Sequence, residues 1–181
     1  RNNNKYIFKN FLIIDKKKDL NYSNLKKNKI KKIFLPHWNF IISNKIINNF
    51  ECIGFHLSPL PYGRGGSPIQ NLILENFKKA PLCSFKITNK LDAGPIFFKN
   101  NISLQGSLEE IFNRMVPKID NQIRKIISNK NNTSKPQCGP TKYFKRLDYS
   151  KNEIKSENSI NKIYDAIRMV DSDDYKKAFI K

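Results

Sequence analysis

The chain has 181 residues, the size of one domain, with 39% hydrophobic residues for a core and a formal net charge of +19. No run of about 18 apolar residues occurs, which excludes a transmembrane helix and makes a membrane partner unexpected. No charged-then-apolar opening resembles a signal peptide, and a start on Arg1 rather than Met is what a fragment or a processed form gives.

Lys outnumbers Arg 28 to 6, and Lys, Asn and Ile make up 77 of the 181 residues. An AT-rich coding sequence produces that bias, so the charge reads first as surface lysine left by drift. A polyanionic partner such as tRNA is the other reading, although Arg rather than Lys dominates specific phosphate recognition. Cys52, Cys83 and Cys138 are odd in number, far apart and without a CxxC spacing. Neither a disulfide nor a metal site is expected, and a reducing, cytoplasmic compartment fits.

In chain order, residues 1–10 are polar and "FLIID" (11–15) is a first short apolar run. "NYSNLKKN" (21–28) suits a short helix, and "IKKIFLP" (30–36) is a second apolar run closed by Pro36. Residues 41–50 carry apolar side chains at helical spacing, and "FECIGF" (50–55) is a third strand candidate. Ser67 and Pro68 mark a helix start over 67–79, with Ser67 as N-cap and Pro68 as first helical residue. Strands are expected at 82–88 and 95–104, joined by "NKLDAG". Residues 107–129 form the clearest helix, opened by a Ser107/Glu110 capping box and interrupted by Pro117, which should kink or split it. Residues 129–140 read as a loop, 141–147 as a strand, and 159–170 as an amphipathic helix. Short buried strands separated by helix-length segments imply an α/β fold with a mostly parallel sheet flanked by helices.

The stretch "GFHLSPLPYGRGGSPIQ" (54–70) concentrates four of seven glycines, three of nine prolines and one of two histidines. His56 follows a strand candidate, where open α/β sheets place ligands. The Gly-rich loop after it permits unusual backbone angles and close ligand approach, or is an ordinary tight connection. It leads into a helix N-terminus, and Arg64 adds a cationic fork. Asp92, between two strand candidates, is either a catalytic carboxylate or an Asp closing a turn with Gly94. His37 and Trp38 end the second apolar run, where an aromatic lines a flat pocket or packs on the core edge. No dinucleotide fingerprint, P-loop or nucleophile elbow is present.

Together "FHLSPLPYGRGGSPIQNLI" and the later "LDAGPI" resemble the folate-dependent formyltransferases. The family pattern of a His, a Ser-x-Leu-Pro, a Gly-rich loop into Pro-x-Gln and a later Asp-x-Gly falls on His56, Ser58, Leu60, Pro61, Gly65, Pro68, Gln70, Asp92 and Gly94. "GSLEEIF" and "IYDAIRMVDSDDYKKAF" are similar to later family segments, and the match spans residues 30 to 179. One departure stands inside it. The family Asn two residues before the His is Gly54 here, a departure that does not itself imply inactivity, since a donor from elsewhere, such as His37, could substitute.

The resemblance implies a Rossmann-like formyltransferase fold, with a catalytic domain over 1–140, a first βα unit that is absent or reduced, and a C-terminal extension of strand plus helix over 141–181. It implies 10-formyltetrahydrofolate as formyl donor, without a metal, and a primary amine as acceptor. His56 and Asp92 would be catalytic. Pro36, His37, Trp38, Leu91 and Gly94 would hold the folate, and Ser58, Arg64, Gly65 and Gly66 the acceptor. The loop's form and the ending near residue 181 favour a nucleotide-linked amino sugar. Methionyl-tRNA is the alternative acceptor, and a folate- or nucleotide-binding protein without catalysis, suggested by Gly54, is a third reading.

Overall fold

The computed structural model describes residues 11–129 and 133–181. The polar opening 1–10 and residues 130–132 of the expected loop lie outside them. The elements run α1 (Tyr22–Lys27), β1 (Lys32–Leu35), α2 (Asn44–Ile47), β2 (Glu51–Leu57), β3 (Tyr62–Gly65), α3 (Pro68–Leu74), β4 (Lys79–Lys86), β5 (Ile96–Ser103), α4 (Leu108–Ser128), β6 (Lys142–Phe144) and α5 (Ile160–Arg168). No helix among the described residues is long and apolar enough to cross a membrane.

The main sheet has the order β1-β2-β4-β5. Only β1 and β2 pair in parallel; β2–β4 and β4–β5 are antiparallel. The α/β class is as expected, but the sheet is mixed rather than mostly parallel. A helix between strands usually marks a parallel crossover. Here β3 and α3 together turn the chain back, so β4 arrives antiparallel to β2. The apolar run 11–15 forms no regular element, and β3, inside the Gly-rich loop, carries no strand signal because Gly is depleted in strands.

Strand alternation sorts the core into two faces. Leu57 and Leu82 join α3 and α4 through Leu72, Ile73, Leu108 and Ile111, all at most 1% exposed. On the other face, Ile33, Leu35 and Cys52 pack with Leu25 of α1 and Ile46 of α2. Gly54 and His56 lie two and four residues beyond Cys52, hence on that second face, opposite Phe85 and Cys83 of β4.

α4 runs unbroken through Pro117. That proline is on the exposed side, and buried anchors precede it (Leu108, Ile111) and follow it (Ile123, Ile126). Packing on both flanks outweighs the lost hydrogen bond. The capping box is present: Ser107 Oγ accepts from Glu110 N–H at 3.2 Å, and Glu110 Oε2 accepts from Ser107 N–H at 2.8 Å. Ser67, by contrast, does not cap α3. It sits in the left-handed region (φ 47°) with no side-chain cap bond, and its Oγ accepts from Leu147 N–H instead. Pro68 does start the helix. Thus Ser107→Ala is expected to cost about 1 kcal/mol of stability in urea unfolding, while Ser67→Ala removes a tie to residue 147 and leaves the content of helix in circular dichroism unchanged.

Candidate active site

β2 delivers His56 to its carboxyl end, 8% exposed. The imidazole Nε2 lies 2.7 Å from Gly63 O. A carbonyl only accepts, so Nε2 carries the hydrogen and donates it. That bond spends Nε2 and turns Nδ1 toward Asp92, whose Oδ2 is 3.8 Å away. Two residues 36 apart in sequence are thereby brought together. Asp92 stands at φ 46°, a conformation an Asp tolerates better than most residues. Its carboxylate reaches out of its own turn and accepts from Gly65 N–H at 2.9 Å. The side chain thus binds the Gly-rich loop and faces His56 rather than closing its own turn.

The Gly-rich loop is shaped by a strand far along the chain. β3 pairs in parallel with β6 in a separate two-stranded sheet. A Cβ on Gly65 would come within 2.5 Å of Phe144 O, and one on Gly66 within 2.6 Å of Arg146 Cα. Gly65 also holds φ 104°. These glycines are required by the close approach of β6 and the residue after next, so their bare faces turn toward protein. Ser58 is fully buried and its hydroxyl donates to Tyr62 O at 2.5 Å, holding the turn that aims Gly63 O at His56. Gly94 is buried because a side chain there would collide with Lys86 O.

Gly54 has a physical explanation. A Cβ on it would meet the Phe85 ring at 2.8 Å, so the Phe85 side chain fills the space that a residue at 54 would use on the His56 face. The neighbouring Cys83 is fully buried, and burial pushes its thiol up to about 11, which leaves it protonated and unreactive. His37 does not come to His56's face. Its ring stands edge-on to Phe112 of α4, centroids 5.2 Å apart, and α4 packs on the opposite face of the sheet. Trp38 follows its core-edge reading: it packs on the α1/α2 cluster and edge-on to Phe40 at 5.5 Å. Pro36 and Leu91 are exposed at the ends of their loops.

Arg64 projects from β3 with neutral partners. Nε and Nη2 donate to Gln137 Oε1 at 3.1 and 2.6 Å, and its guanidinium carbon lies 6.0 Å from the Tyr143 ring centroid. Gln137 is the site residue that sequence reading missed. It sits in the loop over 129–140, and nothing in "SKPQCGP" marks it. The only structural cue is a backbone bridge of Lys135 to Ile96 that lays this loop against the start of β5. Among the described residues no cluster of three or more His, Cys, Asp or Glu could hold a metal ion.

Comparison with known proteins places this geometry in a family. The family model described as "Methionyl-tRNA formyltransferase, C-terminal domain" matches residues 149–181. A methionyl-tRNA formyltransferase of Rickettsia rickettsii (strain Iowa) is 29% identical over 138 residues, covering 72% of this chain and 45% of that protein. The structure of a methionyl-tRNA formyltransferase from Clostridium thermocellum superposes with a TM-score of 0.89 at 40% identity, over 93% of this chain and 74% of that one. A 4-N formyltransferase from Francisella tularensis shares the fold at 20% identity and TM-score 0.73, over 92% of this chain and 71% of that one. The chain belongs to the folate-dependent formyltransferase family. It spans about half the length of the curated relatives it matches. Because the C-terminal-domain match begins within the chain at residue 149, the position of the last residue no longer separates tRNA from sugar acceptors.

Introducing the family Asn should therefore be costly by itself. Gly54→Asn is expected to lower stability by about 1–3 kcal/mol through overpacking against Phe85. Combined with Phe85→Leu, part of that loss should be recovered, read as a non-additive shift in the urea midpoint. Strictly additive losses would show that Phe85 does not occupy the space beside Gly54.

Proposed function

We propose that this chain carries the catalytic centre of a formyltransferase that moves a formyl group from 10-formyltetrahydrofolate to the amine of methionyl-tRNA. The observation that carries the chemistry is His56 Nδ1 held 3.8 Å from the Asp92 carboxylate, with Nε2 already committed to Gly63 O. The acceptor nitrogen attacks the formyl carbon, and negative charge gathers on the formyl oxygen. His56 donates from Nδ1 to that oxygen, beside the Asp92 carboxylate. The amine would pass a proton through water to Asp92, and as the carbon–nitrogen bond to the folate breaks that proton would return through water to the leaving N10. Gly54 supplies no second side-chain donor, so His56 carries the larger share of oxyanion stabilisation.

The loops that begin at Pro36 and at Leu91, both exposed, would hold the folate; the His37 ring against Phe112, Trp38 on the α1/α2 cluster and the buried Gly94 are turned to protein and would shape those loops from behind. Arg64, cationic and bonded to neutral groups, would face an anionic part of the acceptor. The relatives at 29% and 40% identity are named for methionyl-tRNA, which supports that acceptor, and a net charge of +19 suits a polyanion. The second reading is a nucleotide-linked amino sugar, favoured by the "LPYGRGGSP" form of the loop; the likeness to the 4-N formyltransferase is one of fold.

Offered charged initiator tRNA and a nucleotide-linked 4-amino sugar side by side, with 10-formyltetrahydrofolate, the protein is expected to formylate the tRNA, with activity that falls as salt rises. Formylation of the sugar alone would move the acceptor assignment to the second reading. His56→Ala and Asp92→Asn should each lower the rate by about 10²–10³. Donor binding with no transfer to either amine would leave a binding protein without catalysis.

A further inference from the structure

Gln137 uses its whole side chain within the site. Oε1 accepts both Arg64 bonds, while Nε2 donates one hydrogen to Asp92 O at 2.8 Å and the other to Gly94 O at 2.9 Å. Every donor and acceptor of the amide is filled, so neither its orientation nor its identity is free. Its backbone is fixed nearby: Lys135 N–H donates to Ile96 O at 2.9 Å and Ile96 N–H to Lys135 O at 2.8 Å, two residues beyond Gly94. The turn that Gln137 grips needs an external hold. Asp92 is a non-glycine residue at φ 46°; the loop is closed at its base by Lys86 N–H to Pro95 O at 2.9 Å, while near Asp92 itself its own backbone adds a 3.3 Å bond from Ala93 N–H to Lys90 O. A glutamate at 137 could still accept from Arg64 but could donate to neither carbonyl, and a methionine could do neither.

We propose that Gln137 is a positioning residue, locking the Asp92 turn so that its carboxylate faces His56 and setting the posture of Arg64 with the same amide. Its effect on rate rests on the formyl-transfer reading; its effect on the seat of Asp92 does not. Two measurements on the full chain separate them. The first is amide hydrogen exchange at Gly65, whose N–H is bonded to Asp92 Oδ2. Gln137→Met and Gln137→Glu should both speed exchange there by about tenfold or more, with the sheet amides of Leu82 and Phe85 unchanged. The second is a double-mutant comparison of turnover. Gln137→Met should lower kcat by about tenfold in the otherwise native protein and by less than about twofold on the Asp92→Asn background, since both act through one carboxylate. Unchanged exchange at Gly65, or losses that multiply, would overturn the proposal. If the native protein formylates no amine, exchange alone decides: faster exchange at Gly65 then upholds the positioning role while the formyl-transfer reading fails.

Discussion

The bond from Gly65 N–H to the Asp92 carboxylate is where three separate stretches of chain meet. One end belongs to the loop after β2, which also offers Gly63 O to His56. The other belongs to the turn between β4 and β5. The geometry of the first end is imposed by β6, which lies against the glycines closely enough to forbid side chains there. Remove that constraint, and neither the His56 ring nor the carboxylate has a fixed direction. The site is thus a product of backbone approach: a strand near residue 144 shapes a loop near residue 64, and the loop holds a carboxylate at residue 92.

This arrangement also explains how the Gly54 substitution is accommodated. A β2 residue on the His56 face normally has room to project a side chain. Here Phe85, its registered partner on β4, turns its ring over Gly54 and is 4% exposed. An aromatic ring fills this space, and position 54 offers no polar side chain. His56 lies on the same face of the sheet, 8% exposed and in register with Cys83, which clusters with Leu60 and Phe85.

How much of this was readable in the residues follows from where the deciding contacts lie. The capping box of α4 is local, three residues apart, and its pattern appears in the structure as expected. His56 and Asp92 were singled out together only through the family resemblance, because spacing leaves Asp92 open to a turn role, and the structure sets them 3.8 Å apart. Strand direction was not legible. A helix between two strands suggested a parallel crossover, whereas β2 and β4 pair antiparallel because β3 and α3 share the return. The role of the glycines was also hidden, since its cause lies about eighty residues away in β6. Long separation also hid the Ser67 bond to Leu147, 80 residues away, and the Gln137 bond to Asp92, 45 residues away, neither of which leaves a periodic or local pattern.

The central claim is that His56 keeps its hydrogen on Nε2, bonded to Gly63 O, and turns Nδ1 toward Asp92. The chain has two histidines, so ¹⁵N-labelled histidine gives a spectrum in which each ring is assigned by comparison with His37→Gln. The neutral His56 ring is expected as the Nε2–H tautomer, with Nε2 coupled to its hydrogen throughout and Nδ1 the nitrogen that gains and loses a proton. Asp92→Asn should perturb the Nδ1 signal and leave Nε2 nearly unmoved. A neutral Nδ1–H tautomer, or an Nε2 that titrates while Nδ1 stays protonated, would contradict the account.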